Sequence, residues 1–217
     1  PMRDGVELST DVYLPREGGP FPAILWRTPY ESTLPELIEW GAWFASRGYA
    51  AAVQDTRGKF ESGGTFYAYH DEAKDGHDTL EWMANQSWCN GKIGMNGRSY
   101  AALVQWLAAP LGSPHLTAMA PHVVCIDFFR DCHRIGGAVQ WLLTILGAVL
   151  FPSSINLIQR GCTYLFGDQR FLRHLPLIDA DVAAIGRKIG FYRDWVEHTR
   201  YDDYWKEVNA EDRVEQI

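Results

Sequence analysis

Val6, Leu8, Thr10, Val12 and Leu14 alternate with Glu7, Ser9, Asp11 and Tyr13, the two-residue period of a half-exposed strand. After Gly18-Gly19-Pro20 the pattern changes. Ala23-Ile24-Leu25-Trp26 is an unbroken apolar run, which suits a strand covered on both faces. Ala50-Ala51-Ala52-Val53 is another, running out at Gln54-Asp55. Between them residues 35–47 read as a helix, from Pro35 in the first turn to Gly48 just past the end. A loop holding Gly58, Gly63 and Gly64 leads to a second helix that ends near Gln86. That helix opens on Asp71 and Glu72, acids suited to the positive end of its dipole. Lys92 to Met95 predicts a short strand, Tyr100 to Ala109 a helix stopped by Pro110, and Leu116 to Ala120 a further strand. Strands alternating with helices predict an α/β fold with a largely parallel sheet.

Past about residue 128 the rhythm is lost. The remainder reads as helical or irregular, with scattered aromatics and no convincing strand, so the expected division is an α/β core over 1–128 and a helical cap over 129–217. The most apolar stretch, Ile135 to Phe151, is interrupted by Gln140 and Thr144 and closed by Pro152. A span needs about 20 residues with few polar groups, so a buried helix is expected there rather than a membrane segment. The composition agrees with a folded chain of this size. The 217 residues are 47% hydrophobic and 22% charged, which excludes disordered, collagen-like and disulfide-miniprotein classes. A net charge of −7, spread along the chain, argues against a nucleic-acid partner. Cys89, Cys125, Cys132 and Cys162 form no CxxC pair and read as buried or free thiols. The opening Pro1-Met2-Arg3-Asp4-Gly5 is polar turn chemistry rather than a secretory signal, which favours a soluble, cytoplasmic protein.

The segment with most chemical content is Gly97-Arg98-Ser99-Tyr100-Ala101. It lies between a predicted strand and a predicted apolar helix, the context of a nucleophile elbow, where a sharp turn lifts a serine hydroxyl above the sheet edge. Small residues belong at 97 and 101 because the two backbones nearly touch around such a turn. Ser99 would also benefit from the free N–H groups at the helix start. The bland reading is a helix-capping serine, and alanine in place of the usual last glycine weakens the motif.

Several blocks carry a wider likeness, in order: Met2-Arg3-Asp4-Gly5-Val6 with Asp11-Val12-Tyr13-Leu14-Pro15, and Arg27-Thr28-Pro29-Tyr30. Gln54-Asp55-Thr56-Arg57-Gly58, Ser62-Gly63-Gly64-Thr65-Phe66, Asp75-Gly76-His77-Asp78-Thr79 and Glu81-Trp82 follow. Asn90-Gly91-Lys92-Ile93-Gly94-Met95 and Gly97-Arg98-Ser99-Tyr100 complete the set. On these blocks the chain resembles the cocaine-esterase/X-prolyl dipeptidyl-peptidase family of α/β-hydrolases (CocE/NonD, S15-type), which also holds amino-acid ester hydrolases. The resemblance covers most of residues 1–130 and loosely includes Gly136-Gly137-Ala138 of the cap. It implies a serine hydrolase, a carboxylic ester hydrolase or aminopeptidase, working through an acyl-enzyme on Ser99. The Tyr100 backbone N–H and the Tyr30 phenol would form the oxyanion hole. Independently, Tyr30 follows the strand after which this fold usually places its second oxyanion donor; a rim aromatic is the alternative. Asp55 and Arg57 are expected to make supporting polar contacts. The implied substrates are small acyl esters, amides or short peptides, with no cofactor and no metal. Homo-oligomer formation stays open. Ala101-Ala102-Leu103 after Tyr100 puts no carboxylate close behind the nucleophile, which leans toward small esters over amino-acid esters.

The family's triad acid and histidine arise on late strands after the cap, and no such block occurs before Ile217. Its C-terminal β-sandwich is missing as well. Among the histidines present, His70 and His77 belong to the 71–86 helix region and read as solvated. His115 and His122 bracket a strand; His122, at its C-terminal end, reads first as a satisfied structural histidine, with a pocket-lining place as the alternative. His133 and His174 fall in the cap, and His198 pairs with Asp194 at helical spacing. None earns a triad role. The expectation is a piece of a longer enzyme with acid and base beyond residue 217; the alternative is a short relative that has lost or rebuilt its apparatus. Walker A and HExxH patterns are missing, and Asp127, Asp131, Cys132 and His133 read as cap residues rather than ligands. The competing function is an inactive hydrolase-like domain that binds a ligand or protein through 135–151.

Overall fold

A computed structural model describes residues 1–151 and 172–217. Its described residues divide into two compact units, one of Pro1–Ile126 with Ala210–Ile217 and one of Asp127–Asn209. The first is built on a five-stranded sheet in the order β1-β3-β2-β4-β5, comprising β1 (Thr10–Tyr13), β2 (Phe21–Thr28), β3 (Ala50–Asp55), β4 (Cys89–Arg98) and β5 (Leu116–His122). β1 runs antiparallel to β3; the other pairs are parallel. This is an α/β-hydrolase-type sheet, mixed but mostly parallel. The alternating stretch forms a strand only from Thr10, so the expected longer strand is cut to four residues. Ser9 instead donates its N–H to the Ser62 hydroxyl at 2.9 Å.

All six residues of β3 are buried, as the unbroken apolar run requires of a central parallel strand. Side-chain alternation then decides which helix each face receives. Leu25 and Met95 pack with Leu80 and Met83 of α2 (Glu72–Ala84) in the main core cluster. One residue on, Trp26 makes an edge-on contact at 5.4 Å with Trp40 of α1 (Pro35–Ala45). The Trp40 indole N–H donates to Asn96 at 3.1 Å. α3 (Tyr100–Ala108) packs on α2 and stops against a single 3₁₀ turn at Ala109–Leu111, where Pro110 was expected to end it.

The second unit holds α4 (Trp141–Leu150), α5 (Ala180–Ile185), α6 (Gly190–Glu197) and α7 (Asp203–Glu207). It departs from expectation in three respects. A two-stranded hairpin, β6 (Arg134–Ile135) with β7 (Ala138–Val139), turns at Gly136-Gly137, so the apolar stretch becomes helical only at Trp141. That stretch is not uniformly buried, since Ile135, Leu142 and Leu143 are exposed. Cys125 and Cys132 are each disulfide-bonded rather than free thiols. Folding brings sulfurs together that no sequence motif pairs, and only Cys89 is free among the described cysteines. Pro152 and Cys162 lie outside the described residues.

The core of the second unit is aromatic. Phe128, Trp195 and Trp205 surround His133, whose ring stacks on Trp205 at 5.0 Å. Its two nitrogens face Thr144 Oγ1 at 3.0 Å and the Trp195 carbonyl at 2.7 Å. Burial holds this imidazole down at a pKa of about 4. His133 is therefore a neutral, hydrogen-bonded core residue.

Candidate active site

β4 carries the serine. Gly97 approaches the start of α3 so closely that a Cβ there would sit 2.7 Å from the Ala101 Cβ and 2.7 Å from its carbonyl oxygen. Only a residue without a side chain fits at 97. Between them Ser99 adopts φ 56°, ψ −122°, a sparsely populated conformation for a residue with a Cβ, of the kind that surrounding structure must hold in place. Here it is held from both sides. The Ser99 N–H donates to the His122 carbonyl on β5 at 3.0 Å, and its own carbonyl accepts from Ala102 and Leu103 at 3.0 and 3.1 Å. Ser99 makes no side-chain cap bond to its helix, which removes the bland capping reading. The residue is exposed.

Tyr30 sits two residues past β2, its N–H bonded to the Thr28 hydroxyl at 3.0 Å. Burial pushes its phenol up from the ordinary tyrosine range. Hydrogen bonds from the Ser99 side chain and from the Tyr100 backbone N–H, together with the charge of Arg98, pull the other way. The three groups singled out in the sequence thus meet at one place, and at neutral pH the phenol keeps its proton as a donor.

Beneath them lies a polar layer that the sequence pattern did not reveal. The Tyr100 hydroxyl donates to Glu72 Oε1 at 2.8 Å and accepts the Tyr69 N–H at 3.1 Å, with the two rings stacked at 4.6 Å. Glu72 is 3% exposed and pairs at 2.8 Å with the fully buried Arg27 guanidinium, which also donates to Gln54 at 2.8 Å. Burial raises the Glu72 carboxyl pKa against the opposing effects of Arg27 and Tyr100. The sequence marks Glu72 only as a favourable charge at a helix start; its partners Arg27 and Tyr100 come from β2 and α3, which no local pattern can show. Arg57 pairs with Asp75 at 2.6 Å and Asp4 at 2.7 Å. Asp55 accepts bonds from Ser32.

Of the histidines, His122 meets Ser99 through its backbone carbonyl. His122 is exposed and its Nε2 lies 3.4 Å from the Asn96 amide, while His115 Nδ1 faces the Gly91 carbonyl at 3.0 Å. His70 and His77 are half-buried rather than fully solvated. His198 caps the end of α6, and its imidazole bonds Asp202 at 2.7 Å, not the Asp194 expected from spacing, because the helix has ended by then. No group of three or more His, Cys, Asp or Glu among the described residues could hold a metal ion. No helix among them is long and apolar enough to cross a membrane.

The profile of the X-Pro dipeptidyl-peptidase (S15) family matches residues 4–217. The chain belongs to that family. Among curated relatives of this S15 member, the cocaine esterase of Rhodococcus sp. (strain MB1 Bresler) is 43% identical over 99% of the chain and 40% of its own length. Among solved structures, an aminopeptidase from a marine-sediment Thaumarchaeota archaeon superposes with a TM-score of 0.78 at 23% identity, covering 100% of this chain and 40% of that one. An α-amino acid ester hydrolase does so with 0.71 at 26% identity, over 98% and 38%. The chain therefore spans about 40% of the length of the relatives it matches. The likeness is to serine hydrolases of the α/β-hydrolase superfamily, and it associates this S15 chain with esterase and hydrolase chemistry.

Proposed function

We propose that this chain carries the nucleophile and oxyanion hole of a serine hydrolase that cleaves a small acyl ester through an acyl-enzyme on Ser99. The observation that supports it most is the exposed serine in a strained turn, with a protonated phenol and a helix-start N–H beside its hydroxyl. In this reading Ser99 Oγ attacks the acyl carbonyl and its proton passes to a base. The carbonyl oxygen, now carrying the charge, is held by the Tyr30 O–H and the Tyr100 N–H, donors preorganised before charge develops. Collapse expels the alcohol, and water releases the acid by the same route in reverse. The base and its orienting acid are supplied from sequence beyond residue 217, the unit of Asp127–Asn209 serves as the cap, and no cofactor takes part. The ester preference rests on Ala101-Ala102-Leu103 and on the 43% identity to an esterase; a short-peptide or amide substrate is the other member of the class.

Fluorophosphonate treatment followed by intact mass tests this. One adduct on the protein, lost in Ser99→Ala, is the expected result in a chain extended to the length of its relatives. The 217-residue chain alone is expected to label far more slowly, since triad residues act as a unit. An extended protein that stays unlabelled would favour the inactive, ligand-binding alternative, whose surface would be the exposed Ile135, Leu142 and Leu143.

A further inference from the structure

Asp55 closes β3 with 1% of its surface exposed, and the proposed acyl transfer makes no use of it. Both carboxylate oxygens face a single residue. The Ser32 N–H donates to Oδ1 at 2.8 Å and the Ser32 hydroxyl to Oδ2 at 3.1 Å. Ser32, itself 2% exposed, follows Glu31, whose φ of 91° lies in the left-handed region that residues with a Cβ seldom enter. A turn of that kind persists only where its surroundings over-determine it. At its other end the turn is fastened by Thr28, which stands in parallel register with Asp55, accepts the Thr56 N–H at 2.9 Å and receives the Tyr30 N–H at 3.0 Å. Tyr30 lies between the two fastenings.

We infer that Asp55 is a positioning residue whose carboxylate clamps Ser32 and so holds the Glu31 turn in the shape that presents the Tyr30 hydroxyl to Ser99. The inference rests on the proposed role of Tyr30 as an oxyanion donor. An ionised carboxylate suits the task because it accepts both bonds at once, and charge-assisted bonds are stronger than neutral ones. Protonation would turn one acceptor into a donor. Burial, followed by the negative charges of Asp11 and Glu31, pushes this carboxyl up to about 6 against the two bonds from Ser32. The clamp therefore slackens in mild acid.

The test measures hydrogen exchange of the peptide spanning residues 29–34, and hydrolysis of a p-nitrophenyl acyl ester, in the full-length protein. Wild type is compared with Asp55→Ala, Asp55→Asn and Ser32→Ala. Asp55→Ala is expected to speed exchange at 29–34 by about tenfold or more, the worth of a hydrogen bond to a charged group. Asp55→Asn and Ser32→Ala, which keep one contact, fall between. kcat is expected to drop in the same rank order while KM stays nearly constant, a split that general loosening of the fold does not produce. Wild-type protection at 29–34, corrected for intrinsic rates, should decline below pH about 6, and Asp55→Asn should lose that decline. Unchanged exchange at 29–34 in Asp55→Ala overturns the clamp whatever the activity does. Faster exchange with unchanged kcat overturns the positioning role. Should Asp55→Ala fail to fold, seen as faster exchange throughout β2, β3 and β4, Ser32→Ala carries the comparison. If wild type neither hydrolyses the ester nor takes a Ser99 adduct, the nucleophile reading fails separately, and exchange alone decides whether Asp55 holds the turn.

Discussion

Tyr30 and Tyr100 show how one residue type serves two ends of the same site. The Tyr30 oxygen takes hydrogen bonds from the Ser99 side chain and the Tyr100 backbone N–H, whereas the Tyr100 hydroxyl is turned into Glu72. The two substitutions to phenylalanine should therefore fail differently. Tyr30→Phe removes the proposed oxyanion donor without touching the buried Glu72 network, so kcat should fall by about 10²–10³-fold with little change in thermal midpoint. Tyr100→Phe keeps its N–H but strips a hydrogen bond from a buried carboxylate and from the Tyr69 amide. It should cost about 1–3 kcal/mol in urea unfolding. A Tyr100→Phe protein of wild-type stability would mean that Glu72 is satisfied by Arg27 alone.

At the scale of elements, the strand–turn–helix joint between β4 and α3 is set by steric closeness. Gly97→Ala places a methyl where the Ala101 Cβ and carbonyl already stand at 2.7 Å, and backbone atoms cannot swing away as a flexible side chain can. The substitution should lower stability by about 1–3 kcal/mol, as overpacking does, and abolish fluorophosphonate labelling even in protein that remains folded. The second of these outcomes is the sharper, because it reads the geometry of the turn itself. Element lengths follow the same logic. The alternating pattern of Val6 to Leu14 marks a strand, yet pairing with β3 reaches only from Thr10 to Tyr13. At Ser9 the ladder is half made, since its carbonyl accepts the Asp55 N–H at 3.1 Å but Ser62 takes its N–H. Likewise Gly136-Gly137 turns a hairpin before the apolar helix can start.

Across the whole molecule the two units carry titrations of opposite sign. His133, held at about 4 against 6.5 when exposed, takes up its proton more readily in the unfolded chain. Its contribution is present above pH 6.5 and is lost as pH falls toward 4. Asp55, held near 6 against 3.8, binds its proton more readily in the folded chain, so its contribution is present below pH 3.8 and is lost as pH rises through 6. Acidification from pH 6.5 to 4 should thus weaken the unit of Asp127–Asn209. In the sheet unit the same change draws a stabilising share from Asp55 even as the Ser32 contacts slacken locally. Hydrogen exchange resolved by peptide would show it as falling protection in α6 and around Trp205, with β3 protected to lower pH. Parallel loss in both units would contradict the assignment.

The sequence by itself determined the alternation of strands and helices, the position of the serine turn and the family, because these are written in local periodicity, small residues at fixed offsets and contiguous blocks. Only the tertiary structure decided that Tyr30 reaches Ser99, that Glu72 and Arg27 form a buried pair under Tyr100, that Asp55 grips Ser32, and that Cys125 and Cys132 are disulfide-bonded. The physical reason is range. A hydrogen bond between residues tens of positions apart depends on strand order and on which face a side chain takes, and neither is encoded in the few residues around it.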